Sequence, residues 1–411
     1  MRFLRPKVET VPPSSSGLTI LLGGDVNFDP ELRMMFNLGL YRLREHRAPR
    51  SFGERARRRL WRAVCRRACS PELFGTAVNA SFDELSLEKP AGDGTIATDS
   101  YYTETENLTE AVTGLAGSDD QSYPFAEITP LLKQQSVVFV NLETPLTMHP
   151  RPNGLFVSDP RYAAAMKAAG ITVVGVSNNH IFDAGEIGFQ DTLEHLSAAG
   201  LTAVGAGDDL DDARRGRTIE IDNLKLVFLA YTQFCNSRFA SLAGKYPGIL
   251  PLDRRLMVED VRRARRNADL VLVSLHWGFE NQPNVHPRQV DIGHLLIDAG
   301  ADCIIGHHPH VPHAVEVYRG KPIFYSLGNF IFPRFHRDWR DNFLAELLIT
   351  RGSIEGVLVY PIAGTGSSLF QPAVLTGDSA ERFLEGLRLK SIVFGTRLSS
   401  HNGIGYIDLR T

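Results

Sequence analysis

Asp302-Cys303-Ile304-Ile305-Gly306-His307-His308-Pro309-His310 is an apolar run that ends in three imidazoles within four residues. Cys303 to Ile305 read as a buried strand. The residues after it are costly to bury and well suited to ligating a metal. Upstream the same layout recurs. Leu270 to Leu275 lead into His276-Trp277-Gly278, and Ile171 to Val176 lead into Ser177-Asn178-Asn179-His180. Val137 to Val140 lead into Asn141-Leu142-Glu143, and Leu18 to Gly23 lead, through a break at Gly23-Gly24, into Asp25-Val26-Asn27. Five apolar strands that each end in Asp, Asn, Glu or His predict a sheet with ligands gathered beyond its carboxyl ends.

Helical spacing between these runs supports an α/β class. Pro160 to Ala169, Glu186 to Ala199 (stopped by Gly200), Arg255 to Ala268 and Arg288 to Ala299 read as helices. Thr218 to Ile221 and Leu224 to Ala230 form a hairpin through Asp222-Asn223. Ala314 to Val317, Ile323 to Ser326, Phe343 to Thr350 and Gly356 to Ile362 alternate as β, so the sheets are expected to be mixed.

The organisation along 411 residues is expected to be a loop-like N-terminus over 1–17, one domain over 18–362, and a helical C-terminal extension over 363–411 packed on it. A charged insertion at about 41–127 follows the first strand. Positions 42–67 carry eleven arginines against Glu45 and Glu54, whereas 70–127 hold twelve acidic residues and one lysine, Lys89. It reads either as a solvated surface whose halves neutralise each other or as a clamp over the site.

A formal net charge of -3 gives no reason to expect nucleic acid as partner. No run approaches the roughly 20 apolar residues a membrane span needs. The N-terminal Met1 to Lys7 has no apolar stretch behind it. A cytoplasmic protein is therefore the expectation. Four cysteines, Cys65, Cys69, Cys235 and Cys303, are too few and scattered for a disulfide framework.

Hydrolysis of stable bonds at neutral pH is served by paired divalent ions with a bridging carboxylate and several imidazoles. Asp25, Glu143, Asn179, His276, His308 and His310 make up such a set. With Asp183, Gly185, Glu280 and Tyr325-Ser326-Leu327-Gly328-Asn329-Phe330, these motifs resemble the poly-γ-glutamate capsule-synthesis (CapA-like) family, which is similar in fold to calcineurin-like metallophosphoesterases. The resemblance runs from about Thr19 to Phe332 and implies an α/β/β/α sandwich with mixed sheets.

It also implies roles. Asp25 and Asn27 take the place of a first Asp-x-His pair, Glu143 that of the bridging Asp. Asn179, His276, His308 and His310 would complete the ligands of two divalent ions (Mn, Zn or Fe), with His307 as an alternative to His308. His180 would act as general acid, alongside Asp25 and Glu143 at the catalytic centre. Glu280, His286, Arg334 and Arg337 are expected to contact a small anionic or glutamate-like substrate. Asn329 is expected to hydrogen-bond loop backbone. Asn27 in place of His, and Asn281 and Val285 where the family has Tyr and Pro, depart from the pattern.

Three functions stay open at this point. The first is a hydrolase of phosphoester or amide-type bonds. The second is a non-hydrolytic component of poly-γ-glutamate synthesis or export, and the third a metal-dependent tailoring enzyme. The sequence does not fix the oligomeric state.

Overall fold

The structure, a computed structural model, describes residues 17–28, 120–149, 156–234, 247–332, 341–364 and 370–410. The N-terminal segment, the body of the charged insertion with Cys65 and Cys69, and Cys235, Arg334 and Arg337 lie outside these residues.

Two sheets face each other. The first holds β1 (Leu18–Val26), β2 (Val137–Leu142), β3 (Val173–Gly175) and β4 (Thr202–Val204) in parallel. On the far side of β1 it continues antiparallel through β14 (Asn342–Thr350) and β15 (Ser353–Ile362), with the short β13 (Asn329–Ile331) also paired to β1. The second runs β11 (Val315–Tyr318), β12 (Lys321–Phe324), β10 (Cys303–His307), β9 (Leu270–His276), β7 (Leu224–Thr232), β6 (Arg217–Ile221). A small ribbon pairs β5 (Ala206–Gly207) with β8 (Gly248–Ile249).

Alternation along each strand explains the layering, because successive side chains point to opposite faces. In β1 Leu18, Ile20 and Leu22, and in β9 Leu270 and Leu272, enter a core shared by both sheets with Phe139, Phe228, Ala230, Cys303 and Ile305. The other face of β9, with Val271, Val273 and Leu275, packs on helices α5 (Arg254–Arg265) and α6 (Pro287–Ala299) through Met257, Val261, Ile292 and Leu296. The other face of the first sheet, with Leu21, Val138, Val140 and Val174, meets Met166 and Phe189 of α2 (Tyr162–Ala169) and α3 (Gly185–Ala198). Short helices α1 (Thr129–Leu132) and α4 (Leu210–Arg215) complete the outer layers. Strands buried on both faces read as continuous apolar runs, as these do. The α/β/β/α sandwich expected from the sequence is what forms.

Two expectations change. Strand β1 does not break at Gly23-Gly24 but runs on to Val26. A Cβ on Gly24 would stand 1.9 Å from the carbonyl oxygen of Gly328, so glycine lets β13 approach the strand closely rather than ending it. The segment after residue 362 is not simply helical. Helix α7 (Gly377–Ser391) is followed by β16 (Leu398–His401) and β17 (Ile404–Asp408), and β17 pairs with β15 to extend the first sheet. The turn between them carries Asn402 (φ 52°) and Gly403 (φ 78°) in the left-handed region, the backbone a tight hairpin requires. Helix α7 also braces the second sheet: Lys390 Nζ donates to Pro312 O at 2.7 Å, and Ser391 Oγ accepts from Val315 N at 3.0 Å.

Candidate metal centre

The carboxyl ends of β1, β2, β3, β9 and β10 converge at one edge of the sandwich, and each delivers a polar residue there. Asp25 is paired across β1–β2 with Asn141, and His276 across β9–β10 with His307. The two sheets thus supply carboxylates from one side and imidazoles from the other. All of Asp25, Asn27, Asn141, Glu143, Asn179, His180, His276, His307, His308 and His310 are buried.

His276 Nε2 lies 2.7 Å from Asn179 Oδ1, 3.1 Å from His308 Nδ1 and 3.5 Å from Glu143 Oε1. A divalent ion bonded at about 2.0–2.2 Å needs donor atoms roughly 3.0–3.6 Å apart, so this spacing is that of a coordination shell. Beside it, His310 Nε2 is 3.8 Å from Glu143 Oε1, His310 Nδ1 is 3.6 Å from Asp25 Oδ2, and His307 Nδ1 is 3.4 Å from Asp25 Oδ1. Two ligand triads result, Glu143–His276–His308 and Asp25–Glu143–His310, each with donor atoms within 4.8 Å of one another. Glu143 belongs to both. The chemistry of this donor set, two buried carboxylates among neutral imidazoles and an amide oxygen, fits a pair of divalent cations.

Electrostatics agree with the geometry. Burial, reinforced by His308, His307 and His310, pushes the His276 imidazole well below its usual pKa. Burial also lowers His308, to about 4, with Glu280 and Asp25 opposing and His310 adding to the effect. Both rings therefore stay neutral and offer lone pairs. Burial alone would raise the Asp25 carboxyl, but His307, His310 and the Asn141 amide outweigh it and hold it below the normal range.

The loops that carry these side chains are tied down one by one. Asn178 Nδ2 donates to Leu142 O at 2.7 Å, while its Oδ1 accepts from the backbone N–H of His180 and Ile181 at 3.1 and 3.0 Å. That fixes the Asn179-His180 turn on the end of β2. Asn141 Nδ2 donates to Asp25 Oδ1 at 2.8 Å and lies 3.3 Å from His276 Nδ1, linking a ligand of each sheet. His308 and His310 both have positive φ, 96° and 58°, an unfavourable backbone for residues with a side chain. The His308 N–H bonds Asp25 Oδ2 at 3.2 Å, and His310 Nδ1 donates to Asn329 Oδ1 at 2.9 Å. Strain at the two imidazoles is thus held by the partners that aim them.

His180 sits at the edge of the centre, with Nε2 3.9 Å from Glu143 Oε1 and Nδ1 donating to Asp183 Oδ2 at 2.7 Å. The Phe156 ring lies over it with centroids 4.2 Å apart. Phe332 and Phe234 stand in the same way beside His310 and His308, at 4.9 and 4.5 Å.

Most of the residues expected at the site come together here. His308, not His307, joins the triads; His307 ends β10 beneath Asp25 against Phe139, 5.9 Å between ring centroids. Asn27 is buried two residues past Asp25, its N–H on Ile331 O at 2.8 Å. Glu280 is exposed and close to His308 and His310. His286 is corrected. Its Nδ1 accepts from Arg288 N at 3.2 Å and Gln289 Oε1 accepts from its N–H at 2.9 Å, a capping box that opens α6 rather than a substrate contact. Asn329 does bond loop backbone, through Nδ2 to His310 O at 3.4 Å, and in addition orients the His310 ring. Asn141 and Asp183 had no role assigned from sequence, and the aromatic wall gave no signal there at all.

A two-sheet α/β sandwich with a buried carboxylate–imidazole centre at its strand ends defines a class of metal-site proteins. Within that class, the chain belongs to the family described as bacterial capsule synthesis protein PGA_cap, whose model matches residues 86–334. It is 33% identical over 261 residues to the PGA biosynthesis protein CapA of Bacillus subtilis, covering 62% of this chain and 67% of that one. With the capsule biosynthesis protein CapA of Bacillus anthracis it shares 33% identity over 240 residues, covering 54% of this chain and 57% of the relative. A probable polyglutamine synthesis accessory protein of Mycobacterium tuberculosis is 32% identical over 229 residues, 52% of this chain and 60% of its own length. The chain thus spans 57% to 67% of these relatives. Among solved structures, the NAD nucleotidase of Haemophilus influenzae aligns with a TM-score of 0.37 at 14% identity, over 66% of this chain and 56% of that one. No helix among the described residues is long and apolar enough to cross a membrane.

Proposed function

We propose that the chain is a metal-dependent hydrolase that cleaves a phosphoester or amide-type bond in a small anionic, glutamate-like substrate. The observation that carries this reading is the Glu143 carboxylate shared by two ligand triads. Such sharing is what a pair of divalent ions requires. Bound there, two ions would supply the Lewis acidity and the activation of water that hydrolysis at neutral pH needs.

The chain's own residues do the rest. Asp25, Glu143 and His310 would hold one ion, and Glu143, Asn179, His276 and His308 the other. Asp183 accepts the Nδ1 proton of His180, which leaves Nε2 facing the centre 3.9 Å from Glu143. His180 then delivers a proton to the leaving group. Phe156, Phe234 and Phe332 cover the imidazoles on the substrate side and keep bulk water from them.

The test uses the full chain, stripped and reloaded with Mn²⁺, Zn²⁺ or Fe²⁺, against chromogenic phosphoesters and γ-glutamyl amides. Metal-dependent turnover that His180→Ala abolishes is the expected result. Two bound equivalents of metal with no turnover of either class would overturn the hydrolase and favour the second reading. That reading, a non-hydrolytic part in glutamate-polymer synthesis, draws on the names its relatives carry.

A further inference from the structure

Beyond the two inner triads, the described residues hold a third: Glu280, His308 and His310, again with donor atoms within 4.8 Å of one another. It differs from the others in one respect. Asp25, Glu143, His276, His308 and His310 are buried, whereas Glu280 is exposed. Its two imidazoles are also members of the inner sets, His310 beside Asp25 and Glu143, and His308 beside Glu143 and His276. The three triads therefore form a ladder in which each step keeps a ligand of the step before.

Glu280 is held in that place from both sides. The N–H of Asn281, a residue with φ 60°, donates to Pro309 O at 2.9 Å, between the two histidines. On the other side Gly278 N donates to Gln233 Oε1 at 3.1 Å, and Gln233 N to His276 O at 2.8 Å. The turn that bears the carboxylate is thus pinned to the loop that bears the imidazoles.

We infer that Glu280, His308 and His310 form an entry position for divalent cations, at which an incoming ion is captured before it passes to the buried centre. The inference rests on reading that centre as a metal site. Because the outer position borrows two inner imidazoles, it is a staging point and not the seat of a third resident ion. A hydrated cation meets a single charged oxygen ligand at the mouth and exchanges waters for His308 and His310. It then trades Glu280 for Glu143, with no proton or electron changing hands. A carboxylate at the mouth of a buried site acts chiefly on association rate.

The test is the rate at which metal-stripped full chain takes up Co²⁺, followed by stopped-flow absorption of the ligand-field bands. Final metal content is read by elemental analysis. Glu280→Gln should load on the order of tenfold more slowly and reach the same content as wild type. Glu280→Asp should restore most of the rate. Added salt should slow the wild type more than Glu280→Gln, because the capture is electrostatic. Equal loading rates would overturn the entry position. A lower final content in Glu280→Gln would overturn it too, since Glu280 would then be a resident ligand. A wild type that takes up no ion would overturn the metal centre itself. Normal loading without turnover would leave the entry position standing and sink only the hydrolase.

Discussion

Asn141→Ala removes the one amide that joins a ligand of the first sheet to a ligand of the second. Its Nδ2 donates to Asp25 Oδ1 at 2.8 Å and lies 3.3 Å from His276 Nδ1. Its Oδ1 accepts from Asn178 Nδ2 at 3.3 Å. A hydrogen bond to a buried charge contributes about 1.5–3 kcal/mol, and truncation leaves Asp25 and His276 free to turn. Partners of metal ligands typically govern affinity by about 10–100-fold, or about 1.4–2.7 kcal/mol, and both estimates point to the same range. Mn²⁺ titration by calorimetry, with circular dichroism as the check on folding, should show metal binding weakened by one to two orders of magnitude. A folded Asn141→Ala whose Mn²⁺ affinity stays within about twofold of wild type would refute the claim that this amide sets the geometry of the centre.

Asp183→Asn should lower kcat about 10–100-fold while elemental analysis finds the metal content unchanged, because Asp183 orients His180 rather than an ion. A loss of metal instead would place His180 among the ligands. His313 is buried against Gln282 O, and burial lowers its pKa from 6.5 to about 4. The folded state therefore binds fewer protons than the unfolded state between those values, so stability is full above pH 6.5 and is lost as pH falls toward 4. The loss amounts to about 3 kcal/mol, and His313→Gln should flatten that acid slope in urea melts; an unchanged slope counts against it. Two glycines offer opposite outcomes. Gly24→Ala, with its Cβ against the Gly328 carbonyl, should destabilise by about 3 kcal/mol. Gly386→Ala, exposed in α7 with nothing within 4 Å, should stabilise by about 0.5–1 kcal/mol. Thermal unfolding reads both, and a shift of the same sign would contradict this assignment of close approach.

What the sequence displayed and what it concealed have different physical origins. Strands buried on both faces appear as unbroken apolar runs, so β1, β2, β9 and β10 and the polar residues at their ends were visible directly. The ligands Asp25, Glu143, His276, His308 and His310 followed from residue type and place. Partners that act across space did not, since Asn141 and Asn329 differ from other buried amides only in what stands opposite them. The choice between His307 and His308 needed the end of β10, because the strand's last residue points beneath Asp25 and the next turns out toward Glu143. Gly23-Gly24 looked like a terminator because a close backbone neighbour leaves no local trace. The β16–β17 hairpin did leave one, Asn402-Gly403 between alternating residues, the same kind of signal that marked Asp222-Asn223.

Every strand that feeds the centre points its carboxyl end toward the same edge, and the chain leaves the sandwich there each time. The connections at 29–119, 150–155, 235–246 and 333–340 begin within a few residues of the ends of β1, β2, β7 and β13 or of the turns that follow them. Length can thus be added or removed at four points around one mouth while the layers behind it keep their register. For protein engineering, this makes the scaffold modular. The ion-holding frame and the substrate-facing surface belong to different parts of the chain, so specificity can be reshaped by grafting connections without rebuilding the centre they surround.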